Sequence, residues 1–418
     1  MRQSRLFTKT RKEAPADEVA KSAQLLLRGG FVSKEMAGVY SLLPLGLRVM
    51  NKIADIIRQE MNTIGGQEVF LTSLQDPEVW KASGRWDDKL VDNWFKTSLK
   101  NGNELGLALT HEEALARILA DHVNSYRDLP RFVYQIQTKF RNELRAKSGL
   151  LRGREFLMKD MYSFTVDTKQ LDELYERAAE AYKKVYAAVG LGDRTFMTFA
   201  SGGIFSKYSH EFQTLCDTGE DTIYLNKAKG LAINHEVFND EVLAELGAKK
   251  EDFEETRSIE VGNIFKLGTK YAEAEGLAYT DEHGKQQPVV MGSYGIGLGR
   301  LLATVVEALS DDRGMVWPKT IAPFDLHLIE LDGQKDKTVR QVANELCNAI
   351  HAAGHTLLHD ERDLRAGEKF AESDLIGLPL RVVVSKKTVA AGNFEVKDRQ
   401  TGEVAMMTTE AIIKRLQS

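Results

Sequence analysis

Apolar residues recur at intervals of three and four across residues 44–64, at Val49, Ile53, Ile56, Ile57, Met61 and Ile64. This spacing predicts a long amphipathic helix, stopped by Gly65 and Gly66 and followed by a strand in EVFLTSL. LGLALTHEEALARILADHV then predicts a strand entering a helix at Thr110, which with Glu113 three residues on has the form of a capping box. From Phe132 the period changes to two. Phe132, Tyr134, Ile136 and Phe140 share one face, and Gln135, Gln137, Lys139, Arg141 and Glu143 the other, as on a half-buried strand. Arg141 and Glu143 would project on the same side, roughly 7 Å apart, spaced to grip different ends of one ligand. A polar turn (Arg145, Lys147, Ser148, Gly149) and a returning limb with Arg154, Glu155 and Phe156 predict an antiparallel hairpin. A helix over residues 171–189 follows, then polar groups alternating along SHEFQ, and finally MGSYGIGLGRLLATVVEAL as strand, glycine-rich turn and helix. The prolines of VWPKTIAPFDL mark a domain boundary. Beyond it, strand (325–331), helix (339–353), strand (356–360), helix (369–376) and strand (381–385) alternate as in an α/β domain.

With 418 residues, 43% of them hydrophobic, the chain has enough apolar material for two or three domains. Its two cysteines, Cys216 and Cys347, form no CxxC pattern, so neither a disulfide framework nor a thiolate metal site is expected and a reducing cytosol fits. The net charge is −5, yet residues 127–159 hold nine Lys/Arg against three Asp/Glu, an asymmetry that points to a polyanionic ligand. Residues 235–260 reverse it, with nine acidic against three basic, and read as a short helical excursion on the surface. The segment 323–418 has 13 basic and 15 acidic residues, so charge alone does not mark it as an RNA binder. The first 18 residues lack an apolar core of the signal-peptide kind, and no window approaches the roughly 20 apolar residues of a membrane span. A cytoplasmic location without membrane contact is expected.

Three motif readings are excluded on spacing. HEEAL lacks the second histidine of a zinc HExxH. Gly295 and Gly297 begin a GxGxxG whose sixth place is Arg300, and no suitable acidic residue follows, so a dinucleotide fingerprint is absent. His351, His355 and His359 are evenly spaced, but Gly354 ends the helix between them and they share no face.

FRNE followed by RGREF resembles motif 2 of the class II aminoacyl-tRNA synthetases, and YQIQTKFR with REFLMKDMYSF is similar to the bacterial prolyl-tRNA synthetases. The resemblance implies that Arg141 holds the α-phosphate of ATP and also touches proline. Glu143 would accept from the adenine amino group, Phe156 stack on the purine, and Arg152 assist from the loop. MGSYGIGLGR resembles motif 3, which implies Arg300 on the γ-phosphate, glycines leaving room for the purine, and Ser293 in the proline pocket. Gly299 stands where that family carries Thr or Ser. The long helix feeding a strand resembles motif 1, which implies a homodimer, with Thr72 in place of the usual proline. Thr110 and Glu112 resemble the family's Thr-x-Glu loop for the imino group of L-proline, whose positive charge a carboxylate suits. SGGIFSKYSHEF resembles GGxxSHEF, which implies His210 at the proline pocket and Glu211 and Gln213 toward ATP, its ribose and Mg²⁺, with Glu211 meeting the metal. DERDLRAGEKF resembles the recognition loop of the anticodon-binding module, which implies Asp360, Arg362 and Lys369 at the tRNA. Ala366 replaces that loop's proline.

The expected fold is therefore α+β: a catalytic domain over 1–322, built on a six-stranded antiparallel sheet with flanking helices, and an α/β anticodon-binding domain over 323–418. A short acidic connector, about 224–258, stands where many bacterial prolyl enzymes carry an editing insertion. The resemblance implies ATP-dependent activation of L-proline and transfer to tRNA(Pro), with Arg141 and Arg300 as the catalytic groups and no hydrolytic correction of mischarged alanine. A class II synthetase for another amino acid, or a non-catalytic regulatory paralogue, are the alternatives.

Overall fold

The structure is a computed structural model that describes residues 1–144, 146–203 and 207–417. Arg145 of the expected turn and residues 204–206 of SGGIFS lie outside the described residues. The chain forms two compact units, Met36–Tyr40 with Ile53–Thr304, and Met1–Glu35 with Ser41–Lys52 and Val305–Ser418. Among the described residues, no helix is long and apolar enough to cross a membrane.

The first of these is built on a nine-stranded sheet. Its strands are β1 (Gly66–Glu68), β2 (Arg131–Phe140), β3 (Glu155–Thr165), β4 (Thr195–Ser201), β5 (Tyr208–Leu215), β6 (Asp221–Asn226), β7 (Leu231–Asn234), β8 (Glu254–Gly268) and β9 (Val290–Gly297). The six antiparallel strands expected are present as the continuous run β4-β5-β8-β9-β3-β2. Three more strands extend the count to nine. β1 lies parallel to β2, and the hairpin β6/β7 joins β8 on one side and β4 on the other. This hairpin precedes the acidic stretch 235–260, which holds the short helix expected of it and then returns into β8 at Glu254. Ile223, Leu225, Ala232 and Ile233 are buried in two strands, and only Asp240–Glu245 is an α-helix.

The helix predicted over residues 44–64 runs from Pro44 to Thr63 and is designated α1. Gly65, at φ +89°, takes the left-handed conformation that ends it. The strand expected in EVFLTSL pairs with β2 only through Glu68, so it is shorter and earlier than its β propensity suggests. The predicted helix after Thr110 is α2 (Glu112–Ala120), and that after β3 is α3 (Thr168–Ala188). α3 buries Leu171, Leu174, Tyr175, Tyr182, Val185 and Tyr186 against one face of the sheet. Helix and sheet approach closely at Gly262, where a Cβ would stand 2.3 Å from the Tyr186 hydroxyl. On β9 the side chains alternate: Tyr294 faces α3 at an edge-on angle to Phe132 on β2, while Ser293, Gly295 and Gly297 face the opposite way. β9 runs directly into α4 (Leu298–Leu309).

The C-terminal part of the other unit is a five-stranded sheet of β10 (Leu326–Glu330), β11 (Leu357–Asp360), β12 (Leu380–Val384), β13 (Phe394–Asp398) and β14 (Val404–Met407), in the order β11-β10-β12-β13-β14. The first three are parallel and the last two antiparallel. α5 (Lys337–Ala352), α6 (Ala366–Ile376) and α7 (Thr409–Gln417) complete it, and Leu326, Leu328, Leu346, Ile350, Val382 and Ile412 form its core. α6 begins three residues earlier than the sequence pattern suggests. Ala366 is its first residue, a position where proline is favoured because its fixed φ suits a helix start and alanine fits equally well.

Candidate active site

The hairpin β2/β3 is in register from Arg131↔Phe164 to Phe140↔Glu155. Its polar face is not solvated, as a half-buried strand would have it: Gln135, Gln137 and Lys139 are all 1% exposed or less. Each is satisfied internally. Gln135 Nε2 donates to Asp160 Oδ2 at 2.9 Å, and Lys139 Nζ lies 2.8 Å from Asp160 Oδ1 and 2.9 Å from Gln137 Oε1. Burial would raise the Asp160 carboxyl, but the charge on Lys139 holds it well below the usual carboxylate range. This buried ionic floor leaves only the far end of the hairpin open.

Arg141 and Glu143 stand just past the last strand residue rather than on the strand, where the chain is still tied by Arg141 N–H donating to Arg154 C=O at 2.9 Å. They line a cavity of about 330 Å³. Thr110, Glu112, Arg152, Phe156, Ser293 and Arg300 open onto it as well, so eight of the residues singled out in the sequence converge on one space. The Arg141 guanidinium lies 5.5 Å from the centre of the Phe156 ring and makes no carboxylate ion pair among the described residues. Burial, and then the charge of Arg300, lower its pKa. Two guanidinium groups that disfavour one another in a cleft make a site for an anion.

Arg300 enters from the first turn of α4. Its Nη1 lies 3.1 Å from Glu260 Oε2 and its Nε donates to Leu151 C=O at 2.9 Å, which fixes it beside the loop of the hairpin. Gly295 and Gly297 keep this wall low, since a Cβ on Gly295 would approach Met158 to 2.9 Å. Gly299 is under no such demand: a Cβ there would meet Leu150 at 3.8 Å, so the family's Ser or Thr would fit.

At the other end, Thr110 is not the helix cap. His111 is the N-cap, and Thr110 Oγ1 donates to Glu112 Oε2 at 2.7 Å. Ser293 Oγ donates to Glu112 Oε1 at 3.2 Å. Glu113 turns away from the expected capping box to meet Ser83 and Arg85. Arg85, which no local motif marks in the sequence, is 4% exposed and binds both carboxylates, with Nη2 2.8 Å from Glu112 Oε2. Burial pushes against ionisation of Glu112, but Arg85 brings its pKa below the usual value; at Glu113 burial wins and the pKa is raised. Glu112 is thereby a charged carboxylate at the cavity floor.

The SHEF strand is divided between the two faces of the sheet. His210 Nδ1 lies 2.8 Å from the Tyr175 hydroxyl on α3, and burial lowers its pKa to about 4. It does not line the cavity, which corrects its expected place at the proline pocket. Glu211, one residue on, faces the other way; neither it nor Gln213 is among the residues lining the cavity, but Glu211 pairs across strands with Asn263, which is. Gln213 Nε2 donates to Glu211 Oε2 at 2.9 Å. Burial, and then Glu260, raise Glu211 to about 7. Glu260 and Asn263, unremarked in the sequence, complete a cluster of carboxylates and amides, in which Asn234 Nδ2 also donates to Glu211 and Arg300 pairs with Glu260, while Asn263 Oδ1 and Gln213 Oε1 are buried without a hydrogen-bond partner. Two mutually repelling carboxylates and unspent amide oxygens are the donor set that a hard divalent cation takes.

In the other unit, Asp360, Arg362 and Lys369 do come together, but largely on one another. Arg362 forks onto Asp360 through two 2.8 Å hydrogen bonds, and Lys369 Nζ donates to Glu330 and Asp360 carbonyls. Asp360 and Lys369 are at most 1% exposed, so they support the loop from within, and residues 363–365, with the first turn of α6, form its exposed surface.

Comparison with known proteins agrees with this geometry. Residues 95–309 match the family described as tRNA synthetase class II core domain (G, H, P, S and T), and residues 325–418 match an anticodon binding domain. The chain is 39% identical over 442 aligned positions to the proline-tRNA ligase of Caulobacter vibrioides, covering 100% of this chain and 99% of that protein. It is 35% identical over 552 positions to the proline-tRNA ligase of Geobacillus kaustophilus, covering 96% and 97%. Against 418 residues, those 552 positions leave at least 134 without a counterpart here. Among solved structures, the prolyl-tRNA synthetase of Giardia lamblia in complex with prolyl-adenylate superposes with a TM-score of 0.78 at 17% identity, covering 94% of this chain and 77% of that one. That of Cryptosporidium parvum complexed with L-proline and AMP gives 0.76 at 16%, covering 95% and 74%. At those identities the likeness speaks for the fold. The relatives of similar sequence speak for more, and the chain belongs to the proline-tRNA ligase family, the class II synthetases that join proline to tRNA at the expense of ATP.

Proposed function

We propose that the cavity binds ATP along Arg141, Phe156 and Arg300 and L-proline against Glu112, and makes prolyl-adenylate between them. Glu112, with Thr110 and Ser293, receives the imino nitrogen, and Arg141 sits between the two substrates. Glu143 and Phe156 hold the purine, with Arg152 closing from the loop. The proline carboxylate attacks the α-phosphorus in line and pyrophosphate leaves, so no protein nucleophile is needed and the chain contributes positioning and charge neutralisation. Arg141 carries the negative charge that builds at the α-phosphate, and Arg300 that on the leaving group. Glu211, Glu260 and Gln213 would hold Mg²⁺ arriving with ATP, which supplies further neutralisation of the phosphates. The observation that carries this reading is the convergence of Arg141 and Arg300 on the cavity that has the Glu112 carboxylate at its floor. Amino-acid-dependent ATP–pyrophosphate exchange tests it: proline supports exchange well above every other amino acid, and equal exchange with another amino acid, or ATP binding without exchange, overturns it.

The domain division at 322/323 is supported by the two family matches falling on either side of it. Anticodon recognition falls to 323–418, with Asp360, Arg362 and Lys369 shaping the loop that meets tRNA(Pro). A homodimer is supported by the stretch after α1, where Phe70 is 80% and Leu74 58% exposed, two large apolar side chains that a partner would cover. A cytoplasmic location is consistent with the need for tRNA, ATP and reduced cysteines. The fold of the connector supports the absence of editing in cis: β6, β7, a short helix and a return into β8 leave no room for a second catalytic pocket.

A further inference from the structure

The chain's opening residues are built into the unit that carries the anticodon module. Gln3 is 7% exposed, and its amide bridges two elements: Oε1 lies 2.7 Å from His327 Nε2 on β10, and Nε2 donates to Glu372 Oε2 on α6 at 3.2 Å. The same Glu372 oxygen accepts from Arg362 Nη2 at 2.7 Å, and Arg362 in turn forks onto Asp360. Ser4 Oγ hydrogen-bonds Glu361, with Arg2 Nη1 4.0 Å from that carboxylate. Arg2 pairs with His359 in a parallel bridge beside β11, and its Nη2 donates to Asn344 Oδ1 on α5 at 3.0 Å. The backbone at 359 and the side chains at 361 and 362 are thus held, directly or through one shared carboxylate, by residues 1–4.

We infer that Arg2, Gln3 and Ser4 form a strap that fixes the loop between β11 and α6 in one conformation, so that tRNA affinity depends on the first residues of the chain. This rests on the reading of 323–418 as the anticodon-binding domain. The reason is entropic. Residues 363–365 have no buried anchor of their own, and ordering such a loop at the moment of binding costs affinity that a loop already fixed retains. The strap consists of positioning residues and touches no substrate.

The test compares charging kinetics of Gln3→Ala and Ser4→Ala with those of Arg365→Ala, whose side chain is exposed in the loop itself. Gln3→Ala is expected to raise KM for tRNA about tenfold, which corresponds to about 1.4 kcal/mol of binding free energy. The kcat of charging and proline-dependent exchange should stay within about twofold. Ser4→Thr, which keeps the hydroxyl, should behave as the unaltered protein. If Arg365→Ala raises KM and the strap variants do not, the strap is overturned. If strap variants depress exchange as much as charging, their effect is on folding at large and the inference is equally overturned. If no variant moves KM, the reading of this domain fails, and the inference goes with it.

Discussion

Arg141 and Arg300 reach one cavity from the same end of the sheet, one just past the last residue of β2 and the other in the first turn of α4 after β9, and the charge of Arg300 is a cause of the lowered pKa of Arg141. In the free protein this is repulsion; on the proposed function, a triphosphate between them would turn it into a clamp. Arg141 has no carboxylate partner among the described residues, so its removal strands no charge. Arg141→Ala should therefore lower proline-dependent exchange at least about 10²-fold with little change in thermal unfolding. Normal exchange in that variant would defeat the assignment.

Arg85 is the opposite case. It is the sole cation bonded to two buried carboxylates among the described residues. Arg85→Ala leaves both uncompensated and should cost about 3–5 kcal/mol of stability. Urea unfolding measures this, and Arg85→Ala with Glu113→Gln should recover part of the loss. A cost below about 1 kcal/mol, the range of exposed ion pairs, would show that the triad is not buried in solution.

The pH dependence follows from Glu211. Burial and Glu260 raise it to about 7 in the folded chain, against an ordinary value of 4.5. Below the ordinary value both folded and unfolded chains hold the proton. Between the two values only the folded chain does, so this group's contribution to stability falls as pH rises through that window and is flat above it. Glu211→Gln removes the dependence. The variant should match the unaltered protein near pH 4.5 and exceed it in melting temperature near pH 8, without ATP or Mg²⁺. Identical melting curves across the range would remove the basis for a cation site here.

Discrimination against alanine rests on the pocket alone. Rejecting a smaller side chain from a preformed pocket contributes only about 1–3 kcal/mol, or roughly 10–200-fold. Ala-tRNA(Pro) should therefore form at a measurable rate and persist when incubated with the protein. Rapid deacylation by the purified chain would refute this.

Where the sequence carries local patterns, several of them bring their residues to one cavity. The end of the β2 limb at Arg141 and Glu143, the glycine-rich turn before Arg300 and the Thr-x-Glu stretch each place their side chains by backbone geometry over a few residues, and all open onto the cavity. What stays hidden is set by tertiary pairing. Arg85 and Glu113 find one another only once α2 is packed, so local spacing alone favours a capping box for Glu113. Glu260 and Asn263 gain their meaning from lying across from Glu211. The burial of Lys139 beside Asp160 likewise depends on what covers the polar face of β2. His210 departs from its expected place by a single step of strand alternation, which sends adjacent side chains to opposite faces.

The β6/β7 hairpin closes five strands into a ring, since β4-β5-β8-β6-β7 returns to β4. An open sheet ends in a row of unpaired amides and carbonyls, which recruits strands from other molecules and seeds aggregation. The ring has no such terminus. A synthetase that dispenses with a large insertion at this point would otherwise expose the raw margin of its catalytic sheet, and a few residues of hairpin are enough to seal it.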